Sequence, residues 1–159
     1  MANQSKFKKS LVFLYLILFP FGQLFSVSLT FLSLPFSLHF IDLIPLTSLV
    51  LFFLEKVKTP HVFKYLTSFL VVLSFSLILS TFTFGPNIWL GFFYFLRLIS
   101  YVAFFVMVWG LAKRSNEMKY KFFDGLILVS FFVAIFGWIQ YLFFPDLTAL
   151  YIWGWDDHL

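Results

Sequence analysis

Five long apolar runs, separated by short polar segments, occupy most of this 159-residue chain. The runs lie at about residues 11–31, 40–57, 62–84, 88–111 and 122–144. Each run is close to the ~20 apolar residues that a helix needs to cross ~30 Å of hydrocarbon. The pattern therefore predicts an all-α fold, a polytopic bundle of five transmembrane helices in a single domain.

The distribution of basic residues predicts how these helices are oriented. Ten of the 11 basic residues form three clusters at alternate ends of the runs: Lys6, Lys8 and Lys9; Lys56, Lys58 and Lys64; Lys113, Arg114, Lys119 and Lys121. Basic residues near the ends of membrane spans are retained on the cytoplasmic side. The N-terminus is therefore predicted to be cytoplasmic and the C-terminus extracytoplasmic, with residues 145–159 starting an extracytoplasmic loop.

Composition supports a membrane protein and excludes several other classes. The hydrophobic fraction of 62% exceeds the roughly one half of an ordinary soluble domain, and only 11% of the residues are charged. The net charge of +4 comes from residues that border the spans, so it predicts no nucleic-acid partner. The absence of cysteine excludes thiolate catalysis and thiolate metal sites.

Arg97 is the one basic residue in the middle of an apolar run, away from its ends, where a charge is costly and usually serves a function. Trp89 and Trp109 are 20 residues apart in the same run, about 30 Å along a helix, which matches the two interfacial aromatic belts. Arg97 is then about 12 Å below the outer interface. Its side chain leans toward that interface, within reach of a lipid phosphate that the guanidinium can bind with paired hydrogen bonds.

Two interpretations of Arg97 remain open from the sequence. In the first, Tyr94, Ser100 and Tyr101 form a polar stripe around it that faces the protein interior, and Arg97 with Tyr94 and Tyr101 binds a lipid phosphate. In the second, Arg97 ties helices together through Asp42 or Asp146. Gln140 and Asp42 are candidates for polar support of the site, and Asp42 is also predicted to cap the second helix.

No metal site, cofactor site or catalytic residue is predicted. His39 with Asp42, and the terminal group Asp156, Asp157 and His158, are the nearest approaches to a metal site, but neither supplies three well-spaced ligands. The chain also lacks a phosphate-binding glycine-rich loop, a nucleophile elbow and an HExxH pattern.

Several segments resemble one family of membrane glycosyltransferases. FGWIQYLFFPDLTALYIWGWDDHL, residues 136–159, resembles the part of O-antigen ligases and polymerases that leads into their large extracytoplasmic loop. FPFGQL at 19–24, LHFIDLI at 38–44 and YFLRLISY at 94–101 are similar to the N-terminal half of that family. The resemblance covers nearly the whole chain, although each motif is short and hydrophobic.

This resemblance implies a function in cell-surface polysaccharide assembly at the bacterial inner membrane. Such proteins transfer a glycan from undecaprenyl pyrophosphate to another glycan or a lipid-linked acceptor, without a nucleotide sugar or a required metal. The family's catalytic loop would follow Leu159, so we expect an N-terminal fragment that is inactive alone. The alternative is a complete small non-enzymatic membrane protein: a transporter or flippase subunit, or a structural partner.

Overall fold

The computed structural model describes residues 2–21, 26–28, 37–55, 58–85 and 88–143. These residues form five α-helices: α1 Ala2–Leu18, α2 Leu43–Leu54, α3 Val62–Phe84, α4 Ile88–Arg114 and α5 Asn116–Phe143. Between α1 and α2, strand β1 Ser26–Ser28 pairs antiparallel with β2 Ser37–His39. The predicted helical class is thus correct for the described chain, apart from this short ribbon.

Three helices are long and apolar enough to cross a membrane. The qualifying stretches are Val62–Thr83, Leu90–Arg114 and Asn116–Phe143. The most apolar stretches of α3 and α5 contain no buried residue. Such apolar surfaces are expected where the surrounding solvent is lipid, because lipid gives apolar side chains no reason to be buried.

The first two predicted spans differ from the helices observed there. The α-helix of the first run ends at Leu18 and passes into a 3₁₀ turn, Phe19–Phe21, where Pro20 has no backbone N–H to donate. Among its described residues, the run predicted at 11–31 is α-helical only as far as Leu18, and it includes β1. α2 has 12 residues, about 18 Å of helix, which is shorter than the hydrocarbon layer. Crossings by these two runs, and the sidedness of the termini, stay predictions.

α4 is the centre of the bundle, since it packs against each of the other four helices. The apolar core lies between α1, α2, the second half of α4 and the first turns of α5. Its buried residues are Leu11, Val12, Ile44, Phe104, Met107, Leu111, Met118 and Phe122. Val106 of α4 is completely buried.

The helices on either side of α4 approach their neighbours closely at glycine. Gly85 follows the last residue of α3 with φ of 57°, a left-handed conformation that glycine adopts without steric cost. A Cβ on Gly91 would lie 3.0 Å from Leu77 Cδ1, so α3 and α4 are in tight contact there. α1 and α5 meet in the same way, with Gly125 against Leu16.

Candidate functional site

Asp42 is the centre of a buried polar cluster where α2 begins. It is the last residue of the 3₁₀ turn Phe40–Asp42 and only 2% of its surface is exposed. Its Oδ1 accepts hydrogen bonds from Arg97 Nε and from the Tyr101 hydroxyl, both at 2.9 Å. Its Oδ2 accepts one from the His39 backbone N–H at 3.3 Å. A buried carboxylate is costly unless it is paired and hydrogen-bonded, and these three donors meet that requirement.

α4 supplies two of those donors from one of its faces. Arg97 and Tyr101 are four residues apart, so their side chains lie one above the other on the helix. Tyr15 of α1 completes the contact, with its ring centroid 6.4 Å from that of Tyr101 in an edge-on arrangement. The cluster therefore joins α1, α2 and α4.

The predicted capping role of Asp42 is wrong. Asp42 occupies the N-cap position of α2, but its side chain makes no capping hydrogen bond to that helix. The carboxylate instead binds the backbone N–H of His39, three residues earlier, and the two side chains of α4. The Arg97 guanidinium and the Tyr101 phenol bind its Oδ1 in place of the backbone N–H groups of α2. Hydrogen bonds between charged groups are stronger than those to a neutral N–H, which favours this arrangement.

In the interpretation in which Arg97 ties helices together, its partner is Asp42 or Asp146. The structure pairs Arg97 with Asp42, and Asp146 lies outside the described residues. The pairing uses only Nε of the guanidinium. The two terminal nitrogens of Arg97 have no hydrogen-bond partner among the described residues. With 29% of its side chain exposed, Arg97 keeps a free two-donor edge while Asp42 fixes its orientation.

A small cavity of about 50 Å³ lies beside Arg97. Asp42, Arg97, Ser100 and Tyr101 line it together with two apolar residues each from α2 and α4, and its surface is mostly apolar. Ser100 is buried and its hydroxyl donates to the Leu96 carbonyl at 2.8 Å, so it adds little free polarity. The cavity has room for a few waters or for the oxygens of a phosphate group.

The remaining residues predicted for the site are less closely associated with it. Tyr94, one turn before Arg97, is 53% exposed and does not line the cavity. Gln140 lies near the end of α5, and its side chain falls outside what the structure describes. Asp156, Asp157 and His158 lie outside the described residues as well.

His39 adds a titratable ring beside the cluster. Burial lowers its pKa, the Asp42 carboxylate opposes that effect, and the Arg97 charge lowers the pKa further. Its Nδ1 is buried without a hydrogen-bond partner in the described part of the chain. Over the same residues, no group of three His, Asp or Glu side chains is placed to hold a metal ion.

A second ion pair was not foreseen from the sequence. Lys8 of α1 binds Glu55, which directly follows α2, and both residues line a larger cavity of about 340 Å³. The available signal was that Glu55 is the only carboxylate near the second basic cluster. A single carboxylate beside several basic residues favours an ion pair, but the sequence does not indicate which basic residue binds Glu55.

Comparison of the chain with family models, with curated proteins and with solved structures found no match. The class of protein therefore follows from the structure itself. It is a helical protein with three helices of membrane-crossing length, and an ion pair buried between α2 and α4.

Proposed function

We propose that this chain is the N-terminal membrane region of an O-antigen ligase or polymerase type of glycosyltransferase, and that Arg97 binds the phosphate of an undecaprenyl-pyrophosphate-linked glycan. One observation carries the proposal. Asp42 holds Arg97 through Nε, the two terminal nitrogens have no hydrogen-bond partner among the described residues, and Arg97 lies at the edge of a small cavity.

This arrangement suits phosphate recognition for a geometric reason. Arginine binds phosphate best when its planar fork is held in place, because two parallel N–H donors then meet two oxygens. Asp42 fixes the fork, and Tyr101 takes up part of the carboxylate's accepting capacity. Since Asp42 is 2% exposed and the Arg97 side chain is 29% exposed, the cation is the more accessible charge.

The proposal includes five crossings with the N-terminus in the cytoplasm of a bacterium, in its inner membrane. One geometric feature supports this orientation. Lys8, Lys58, Lys113 and Arg114 come from three different basic clusters and line the same cavity. Basic clusters that meet at one end of a bundle are expected when all three are retained on the cytoplasmic side.

The test compares binding of undecaprenyl pyrophosphate and undecaprenol to the purified chain in detergent, by native mass spectrometry. Arg97→Lys keeps the charge and loses the fork, so we expect affinity for the pyrophosphate to fall about tenfold, within the range for a charged hydrogen bond. Lys119→Arg is the control, because it makes the reverse exchange at an exposed position of α5 that lines neither cavity. Its affinity should equal that of the unmodified chain.

A second variant separates binding from folding. Arg97→Leu alone would leave Asp42 buried and unpaired, so the double variant Asp42→Leu, Arg97→Leu is used, since replacing both partners is often close to neutral for stability. It should fold and show no preference for the pyrophosphate over undecaprenol. A folded double variant that keeps the preference would contradict the proposal.

The alternative function is a non-enzymatic membrane protein, either a transporter or flippase subunit or a structural partner. The observation in its favour is the Asp42–Arg97 pair, which neutralises the intramembrane charge without any ligand. If the unmodified chain binds undecaprenyl pyrophosphate no better than undecaprenol, this alternative is preferred.

A further inference from the structure

A cavity of about 340 Å³ opens between α1, α2 and α4, far from Arg97. We call it the basic-end cavity. Its charged lining residues are Lys8, Glu55, Lys58, Lys113 and Arg114. Arg97 and Arg114 are 17 positions apart on α4, about 25 Å along the helix, so the two cavities are separate sites.

The charges of this cavity are unbalanced. Lys8 is paired with Glu55, which leaves three cationic side chains without a carboxylate partner among the described residues. Lys58, Lys113 and Arg114 are all exposed. Lys113 Nζ lies 4.9 Å from the centre of the Trp109 ring, which holds the ammonium at the rim of the cavity. The site therefore favours an anion.

Glu55 contributes a second binding element of opposite character. Its Oε2 binds Lys8, whereas its Oε1 is buried and accepts no hydrogen bond from the described residues. A buried acceptor without a partner is costly, and a ligand hydroxyl that donates to it would remove that cost. The preferred ligand thus carries both a negative charge and a hydroxyl group.

The deeper wall of the cavity is apolar. Leu51 and Phe52 of α2, with Ala103 and Met107 of α4, form this wall beneath the charged rim. A cavity with an apolar wall and a cationic rim matches a phospholipid, whose acyl chains and phosphate require those two environments at once. Its volume is within the ~300–1,000 Å³ that small-molecule sites usually have.

We propose that the basic-end cavity binds an anionic phospholipid with a hydroxylated headgroup, of the phosphatidylglycerol kind, from the leaflet at that end of the helices. Lys58, Lys113 and Arg114 contact the phosphate, a headgroup hydroxyl donates to Glu55 Oε1, and the acyl chains lie along Leu51 and Phe52. Basic pockets between membrane helices bind anionic headgroups by the same electrostatics. Inorganic phosphate shares the charge but leaves the apolar wall unused.

The cavity contains its own fluorescent reporter, Trp109. When the other four tryptophans are replaced by phenylalanine, the tryptophan emission comes from Trp109 only. The four replaced residues are Trp89, Trp138, Trp153 and Trp155. This variant of the full chain is placed in bilayers that contain brominated phosphatidylglycerol, brominated phosphatidylcholine or brominated phosphatidylethanol. Quenching of Trp109 then measures the relative affinity for each lipid.

We expect phosphatidylglycerol to bind about a hundredfold more tightly than phosphatidylcholine, because each of the three basic residues near the headgroup favours an anionic lipid about fivefold. Phosphatidylethanol, which has the same charge as phosphatidylglycerol but no headgroup hydroxyl, should bind more weakly than phosphatidylglycerol. Lys113→Gln with Arg114→Gln should remove most of the preference. The conservative pair Lys113→Arg with Arg114→Lys should restore it, and near-native circular dichroism would show that both variants fold.

The matched control is Lys119→Gln with Lys121→Gln, which removes two charges from α5 that do not line the cavity. It should keep the full preference for phosphatidylglycerol. Equal quenching by phosphatidylglycerol and phosphatidylcholine, or equal losses in the two neutralised pairs, would overturn the proposal. Displacement of the brominated lipid by millimolar inorganic phosphate would instead assign the site to soluble phosphate. Equal affinity for phosphatidylethanol and phosphatidylglycerol would overturn the hydroxyl contact with Glu55.

Discussion

Each end of α2 has an ion pair, and the two carboxylates differ in how fully their oxygens are buried and hydrogen-bonded. Asp42, at the start, is 2% exposed and its two oxygens accept three hydrogen bonds. Glu55, at the other end, is 23% exposed in its side chain and keeps one oxygen without a partner among the described residues. The first carboxylate holds another side chain in position, while the second retains capacity for a ligand.

The helix itself explains part of this difference. Glu55 occupies the C-cap position of α2, where the partial negative charge of the helix end disfavours a carboxylate. Lys8 offsets that repulsion from a neighbouring helix. Asp42 is at the opposite end, where the dipole favours a negative charge, and it is held by groups from α4 and the preceding turn.

The largest expected effect concerns the two sides of the membrane. Thr59→Cys, before α3, and Thr83→Cys, near its end, lie at exposed positions on either side of most of α3, which is about 34 Å long. The chain has no other cysteine. An impermeant maleimide should label Thr83→Cys in intact cells and Thr59→Cys only after lysis. Asn116→Cys should behave like Thr59→Cys, since both lie beside basic clusters.

Labelling of both α3 positions from one side would show that α3 does not cross the membrane. The Asp42 site and the Glu55 site would then not be assigned to opposite sides of the membrane, and the predicted orientation of the termini would be wrong.

The second effect compares the two carboxylates directly. Asp42→Asn leaves the Arg97 charge unpaired in a largely buried position, so we expect the free energy of unfolding to fall by about 3 kcal/mol. Glu55→Gln should cost less, about 2 kcal/mol, because the Glu55 side chain is more exposed than that of Asp42 and accepts one hydrogen bond where Asp42 accepts three. Unfolding of the purified chain in mixed micelles, followed by circular dichroism, measures both. Equal losses of unfolding free energy would show that the Asp42 and Glu55 ends of α2 do not differ energetically.

The smallest effect concerns a single hydrogen bond to Asp42. Tyr101→Phe removes the hydroxyl that donates to Asp42 at 2.9 Å, and it should cost about 1.5 kcal/mol, since the acceptor is charged. Tyr120→Phe makes the same change on an exposed side chain of α5 and should be close to neutral. The same unfolding assay distinguishes them, and a neutral Tyr101→Phe would mean that Arg97 and His39 suffice for Asp42.

The helices were the most predictable part of the structure. An apolar run bounded by short polar segments predicts α3, α4 and α5 almost completely, because no other local structure satisfies the backbone in lipid. The first run was the least predictable. Its hydrophobicity continues past Leu18, and an apolar composition does not distinguish a helix from the strand Ser26–Ser28.

The candidate site was predictable only in part. The intramembrane position of Arg97 and the helical spacing of Tyr101 identified two members of the cluster. Choosing Asp42 over Asp146 as the partner required the packing of α2 against α4, which no local pattern encodes. The Lys8–Glu55 pair was missed for the same reason, since its partners are 47 positions apart.

The distance along the chain between Asp42 and Arg97 also has a consequence during synthesis. They are 55 positions apart, and a ribosome adds about 5–20 residues per second. Asp42 is therefore added to the chain about 3–11 s before its cation. Until then its carboxylate lacks its final partners, so the start of α2 cannot dock in its final place before α4 has been synthesised. The central helix of the bundle thus also sets the earliest moment at which α2 can reach its native position.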